Sequence, residues 1–182
     1  QDAKKFEMPN ICPSCNSILL KDKDEAVLRC VNGISCPAQK KQGLMHFVSR
    51  KAMNIDGLGE KLIEQLMDSN LLNQTSDFHR LKKEQLLSLE RFAEKSADNL
   101  IKSIENSKNT SMARFIYALG IRNVGEATAN DLANHFGNLN KIKQALFDQL
   151  IDVRATGPTV AASIFKYFNS SKSVNEIEQL VS

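Results

Sequence analysis

Four cysteines, Cys12, Cys15, Cys30 and Cys36, crowd one short stretch, and no cysteine follows them. The order is Cys-Pro-Ser-Cys, fourteen intervening residues, then Cys-Val-Asn-Gly-Ile-Ser-Cys, which gives two knuckles able to close on one tetrahedral ion. Zinc suits them because a borderline-soft divalent ion binds sulfur well and strips the thiol proton. Four sulfurs leave no coordination position for water, so such a site is structural rather than catalytic. Two disulfides or four reduced structural thiols are the alternatives, and four sulfurs also suit iron. The polar start, residues 1–5, has no signal-peptide pattern, which weighs against disulfides. His46 is the nearest candidate for a fifth ligand and otherwise a packing or capping residue. Ser14 and Asn16 stand where their amides would reach the sulfurs.

Short apolar runs at 18–20 and 26–31 predict a small β-hairpin that carries the knuckles, with 21–25 as its exposed turn. From about Phe47 onward the spacing becomes helical, with Leu, Ile, Ala, Lys, Glu and Gln dominating. A repeat emerges when Gly57, Arg91, Asn123 and Ala155 are aligned, at separations of 34, 32 and 32 residues. Two places before each stands an aliphatic residue (Ile55, Leu89, Ile121, Val153), and two places after each a small one (Gly59, Ala93, Gly125, Gly157). Leu58, Phe92 and Val124 lie between, with Thr156 as the polar exception; the helical face recurs as Ile63 and Leu66, Ala97 and Leu100, Ala129 and Leu132, Ala161 and Ile164.

Each unit therefore reads as helix, tight bend, helix. Glycine at both bend positions would permit positive φ and leave no Cβ in the way of another molecule. The amides that open the second helix lack intrahelical partners and carry partial positive charge, which suits an anion. A single such bend is most simply a chain reversal; four in near-constant register predict paired clamps that hold a nucleic-acid backbone without reading bases. The candidate contacts are Gly57, Gly59 and Lys61 in the first unit and Arg91 and Lys95 in the second. The third supplies Arg122, Asn123, Gly125 and Thr128, and the fourth Arg154, Gly157 and Thr159. The second unit, with neither glycine, is expected to be mainly architectural. Leu71, Leu72, Phe78, Phe147 and Phe168 serve either the core or an interface.

The fold class expected is mainly α: a four-cysteine zinc module with a short β-hairpin over 1–46, then an all-helical domain of four helix-hairpin-helix units over 47–170. The units fall near 50–72, 84–107, 114–137 and 147–169, and 171–182 reads as a tail or linker. With 24 Lys and Arg against 21 Asp and Glu the formal charge is +3, too small to identify a nucleic-acid binder. A zinc tetrathiolate lowers it to about +1. No apolar run approaches the roughly 20 residues of a membrane span, and no membrane partner is expected.

The combination resembles the C-terminal part of bacterial NAD-dependent DNA ligase over nearly the whole chain. The likeness is carried by Met8-Pro-Asn-Ile-Cys-Pro-Ser-Cys15, by Arg29-Cys-Val-Asn-Gly-Ile-Ser-Cys-Pro-Ala-Gln39 and by His46-Phe-Val-Ser-Arg-Lys-Ala-Met-Asn-Ile-Asp-Gly-Leu-Gly59. It continues in Phe92-Ala-Glu-Lys-Ser-Ala-Asp-Asn-Leu100 and Ala118-Leu-Gly-Ile-Arg-Asn-Val-Gly-Glu-Ala-Thr-Ala129, and departs at Arg91, Ala93, Ala155 and Thr156. The resemblance implies a cytoplasmic, nucleoid-associated enzyme of DNA replication and repair. It would move adenylate from NAD to a lysine, then to the 5′-phosphate at a nick, and seal the nick, with magnesium. That lysine belongs to a Lys-x-Asp-Gly motif, whereas the Asp56-Gly57 pair here is preceded by Asn54 and Ile55. No catalytic residue is therefore assigned, and NAD and magnesium are not expected to bind this chain.

The partners so implied are nicked duplex DNA and the adenylation and oligonucleotide-binding domains that would precede residue 1; a BRCT domain would follow, with 169–173 as a hinge. The rival readings are another zinc-plus-hairpin repair protein, such as a recombination mediator, and a protein interaction scaffold.

Overall fold

The computed structural model describes residues 8–21, 27–90 and 92–181. The chain divides into two compact units, residues 1–43 and 44–182.

In the first unit, strands β1 (Leu19–Lys21) and β2 (Leu28–Cys30) pair antiparallel, with Leu19 opposite Cys30 and Lys21 opposite Leu28. The expected hairpin is present; of the turn expected at 21–25, Lys21 instead ends β1, and 22–25 lie outside the described residues. An isolated bridge between Ile11 and Ile18 closes the loop that carries Cys12 and Cys15. Asn16 takes a left-handed φ of 57° there, a conformation Asn tolerates better than most side chains. A 3-10 turn over Gly33–Ser35 leads from β2 to Cys36, and α1 (Pro37–Val48) starts with proline in its first turn, where the missing N–H is harmless.

The second unit is all helical and follows the repeat. The opening helices of the four hairpins are the end of α1, α3 (Lys83–Leu87), α5 (Met112–Ala118) and α8 (Phe147–Ile151). The second helices are α2 (Glu60–Asp68), α4 (Glu94–Ser107), α6 (Glu126–Phe136) and α9 (Pro158–Phe168). A 3-10 helix (Thr75–Arg80) links the first two hairpins, and α7 (Leu139–Lys143) links the last two.

Burial follows the sequence pattern closely. Ile55, Leu89, Ile121 and Val153 are buried, as are Leu58, Val124 and Thr156. The helical-face residues Ile63, Leu66, Ala97, Leu100, Ala129, Leu132, Ala161 and Ile164 are at most 1% exposed, so every second helix turns the same stripe inward. The stripes join pairwise into two apolar clusters, one from the first and second hairpins and one from the third and fourth. Leu72, Phe78 and Phe168 are core residues, with Phe78 stacked on Phe47 at 5.8 Å; Leu71 and Phe147 pack half-buried against the clusters.

Within the stretch expected as a tail or linker, 171–182, the described residues are helical. Ser171–Val181 form α10, because Val174, Ile177 and Leu180 recur at helical spacing and Ile177 is 1% exposed in the second cluster. Glu176 accepts from the backbone and hydroxyl of Thr75 at 3.0 and 2.6 Å, and Gln179 accepts from Ser76 at 3.0 Å, tying α10 to the 3-10 helix. No described helix is long and apolar enough to cross a membrane.

Candidate metal centre and nucleic-acid interface

The four sulfurs converge. Cys15 Sγ lies 3.4 Å from Cys30 Sγ, Cys12 Sγ lies 3.9 Å from Cys36 Sγ, and all four are within 4.8 Å of one another. A tetrahedral zinc with Zn–S bonds of roughly 2.3 Å sets its sulfurs about 3.8 Å apart, so the donor set fits the ion. Disulfide sulfurs sit about 2.0 Å apart, and the four thiols are free. Cys12 and Cys36 are buried, and Cys15 and Cys30 half-buried.

Polar neighbours favour thiolate. Hydrogen bonds from the Ser17 hydroxyl and amide hold the Cys15 thiol down to about 6. The Gln39 amide and the Ser14 hydroxyl lower Cys36. The Asn32 amide, 3.5 Å from Cys30 Sγ, also favours thiolate there, but desolvation and the adjoining Cys15 and Cys12 push that thiol up to about 12. Cys30 is thus the thiol that a bound cation must strip of its proton. The supporting amides come from Ser17, Asn32 and Gln39, and Ser14 contributes its hydroxyl instead; the fold of each knuckle, invisible in spacing, decides this. His46 is no fifth ligand: its Nε2 is within 2.7 Å of the Tyr117 carbonyl and its ring meets the Tyr117 ring edge-on at 4.7 Å.

The hairpin bends show one geometry. At the first bend position φ is +93° at Gly57, +64° at Asn123 and +56° at Ala155; Arg91, the fourth, lies outside the described residues. The second position differs from expectation. Gly59, Ala93, Gly125 and Gly157 are helix N-caps with φ between −81° and −89° and extended ψ, a conformation open to any L residue. Glycine is therefore not required there for backbone reasons, and Ala93 fits without strain. What glycine does supply is room: a Cβ at Gly59, Gly125 or Gly157 would meet nothing within 4 Å.

None of the four N-caps makes a side-chain capping bond to its helix. By contrast, Ser111 Oγ accepts from the Arg114 amide at 3.3 Å and Asn138 Oδ1 from the Lys141 amide at 2.9 Å. Capping side chains thus stand at the heads of α5 and α7 but not of α3 and α8, and the second helix of each hairpin opens on glycine or alanine. Such heads present amides and the positive end of the helix dipole to an outside anion. Glu60, Glu94 and Glu126 each occupy the first helical position, where a carboxylate complements the dipole. Glu94 is engaged by Lys83 at 3.2 Å, which also holds Asp98 at 2.7 Å.

The remaining candidates cluster at these heads. Lys61, Lys95 and Thr159 are exposed at the second position of α2, α4 and α9, and Thr128 is half-buried at the third position of α6. Arg122 and Arg154 are exposed in their bends. Asn123 has a second role that the sequence did not signal: its Nδ2 donates to Ser163 Oγ at 3.2 Å, joining the third bend to α9.

Residues 12–38 match the family described as NAD-dependent DNA ligase C4 zinc finger domain. Residues 49–106 match a SAM-like helix-hairpin-helix tandem, and residues 114–177 a helix-hairpin-helix motif.

Proposed function

Because these matches and the metal-ready cysteines together fit a C-terminal portion of an NAD-dependent DNA ligase, we propose that the chain holds nicked duplex DNA for that enzyme. Helix-hairpin-helix motifs imply DNA binding in this ligase context. The finer reading is sequence-independent binding through backbone phosphates, at Gly57, Gly59, Lys61, Arg91, Lys95, Arg122, Asn123, Gly125, Thr128, Arg154, Gly157 and Thr159. The recurrence of four uncapped helix heads on one repeat carries it. Clamping by shape and charge suits an enzyme that must act at any sequence.

Zinc on Cys12, Cys15, Cys30 and Cys36 is structural in this reading and supplies no chemistry. NAD, magnesium and the nucleophilic lysine belong to an adenylation domain, and nick sealing in replication and repair requires both parts.

Two assays test the proposal. Affinity for a nicked duplex should fall steeply as salt rises, with a slope near −0.9 per phosphate neutralised, and should change little when the sequence is scrambled. A salt-independent affinity contradicts it. The chain alone should seal no nick, and adding a separate adenylation and oligonucleotide-binding fragment should restore sealing; failure to stimulate sealing contradicts the ligase role.

A further inference from the structure

The repeat pairs hairpins that are neighbours in sequence, the first with the second and the third with the fourth. A separate set of contacts joins the first hairpin to the third. Arg114, on α5, donates from Nε to the Ala52 carbonyl at 2.9 Å and from Nη2 to the Arg50 carbonyl. Lys51, between those two carbonyls in sequence, reaches Glu126 Oε1 at 2.7 Å, and Glu126 is the first residue of α6. His46 holds the Tyr117 carbonyl from the end of α1, and its Cδ2 lies 3.5 Å from where a Cβ on Gly120 would stand. Three consecutive residues before the first bend are thus gripped by both helices of the third hairpin.

The helix that does the gripping belongs to both cores. Ile116 of α5 is fully buried in the second cluster, whereas Ala118, two residues on, is buried in the first. Phe115 and Tyr117 pack against both. On the other side, Ala52, Met53 and Ile55 are at most 4% exposed, so three side chains anchor the segment between the gripped carbonyls and Gly57 in the core.

We infer that Arg114 is a positioning residue that sets the first and third bends in one register, so that a duplex engages them as a coupled pair. This rests on the phosphate-holding reading above and adds to it a specific dependence between two bends that lie in different hairpin pairs. A guanidinium suits the task because its planar fork can satisfy two carbonyls at once while its charge cannot be lost. An ammonium reaches one carbonyl well and the other poorly. The Lys51–Glu126 pair is exposed on both sides and contributes little holding energy of its own, which leaves Arg114, beside the His46–Tyr117 contact and the apolar packing of α5, to set the two bends.

The test is a double-mutant cycle on the full chain, reading nicked-duplex affinity by fluorescence anisotropy, with melting and zinc content checked for each variant. Arg114→Ala should weaken binding by about 5- to 150-fold, the range of an ordinary coupling between sites. In a Gly59→Val background the same change should weaken it by no more than about twofold, because a blocked first bend has no register left to lose. Arg114→Lys should fall between, and it carries the same comparison should Arg114→Ala fail to melt cooperatively. Wild-type binding by a folded Arg114 variant, or equal losses in both backgrounds, overturns the coupling alone. Wild-type binding by Gly59→Val overturns the phosphate-holding reading and this inference with it.

Discussion

Replacing Gly125 by valine separates the two jobs a glycine can do. Gly125 has φ −89° and ψ 179°, in the broad extended region that a β-branched residue adopts readily, and an added Cβ meets no atom within 4 Å. Strain and clash are therefore absent, and the folding penalty is limited to the poorer N-cap preference of valine, about 1 kcal/mol or less. The isopropyl group would stand over the amides at the head of α6. A hydrogen bond to a charged group contributes about 1.5 to 3 kcal/mol, so a blocked clamp should lose about 10- to 150-fold in duplex affinity. Gly57→Val is the contrast: φ of +93° is forbidden territory for valine, and this variant should lose stability rather than contact alone. Melting by circular dichroism and affinity by anisotropy, measured on both, distinguish the cases. A folded Gly125→Val protein that binds nicked DNA normally would refute the reasoning, because nothing else in that bend depends on the missing Cβ.

Cys30→Ser should abolish metal binding as read by elemental analysis; retained zinc would remove Cys30 from the ligand set. Ala155→Gly should raise stability by about 0.5 to 1 kcal/mol, the left-handed penalty of a φ of +56° being only partly offset by glycine's larger unfolded-state entropy; a drop in melting temperature would count against it. His79 lies half-buried with Nε2 enclosed and unpartnered among the described residues, and burial, with Lys108 nearby, lowers its pKa below 6.5. The unfolded chain then binds more protons in that range, so this contribution to stability is complete above pH 6.5 and is lost as pH falls toward the folded value. An NMR titration midpoint of 6.5 or higher for His79 would contradict this, and His79→Phe should flatten the fall.

Much of the fold could be read from two spacings. The cysteine knuckles specify which sulfurs meet, because four ligands of one type so close in sequence have few ways to serve one ion. The interval of 32 to 34 residues specifies four like hairpins, because the aliphatic positions Ile55, Leu89, Ile121 and Val153 each fill the same slot in a core. What spacing could not deliver was backbone conformation at the second bend position. Glycine there suggested positive φ, yet Gly59 and Gly125 are extended, and only the first position is left-handed. Long-range partners were equally hidden. Arg114 reads as one cation on a short amphipathic helix, and nothing local ties it to carbonyls more than sixty residues upstream. The helix α10 was missed because its polar start, Ser171-Lys172-Ser173, reads as a linker, while its docking depends on Thr75 and Ser76, about a hundred residues away.

The direct measurement is a 15N NMR titration of the chain with a nicked duplex. The account predicts that the largest amide shifts fall at the helix heads, on Glu60, Lys61, Glu126, Ala127 and Thr159, and that they retreat together as salt is added. Shifts concentrated elsewhere, with those five amides unmoved at saturation, would contradict it.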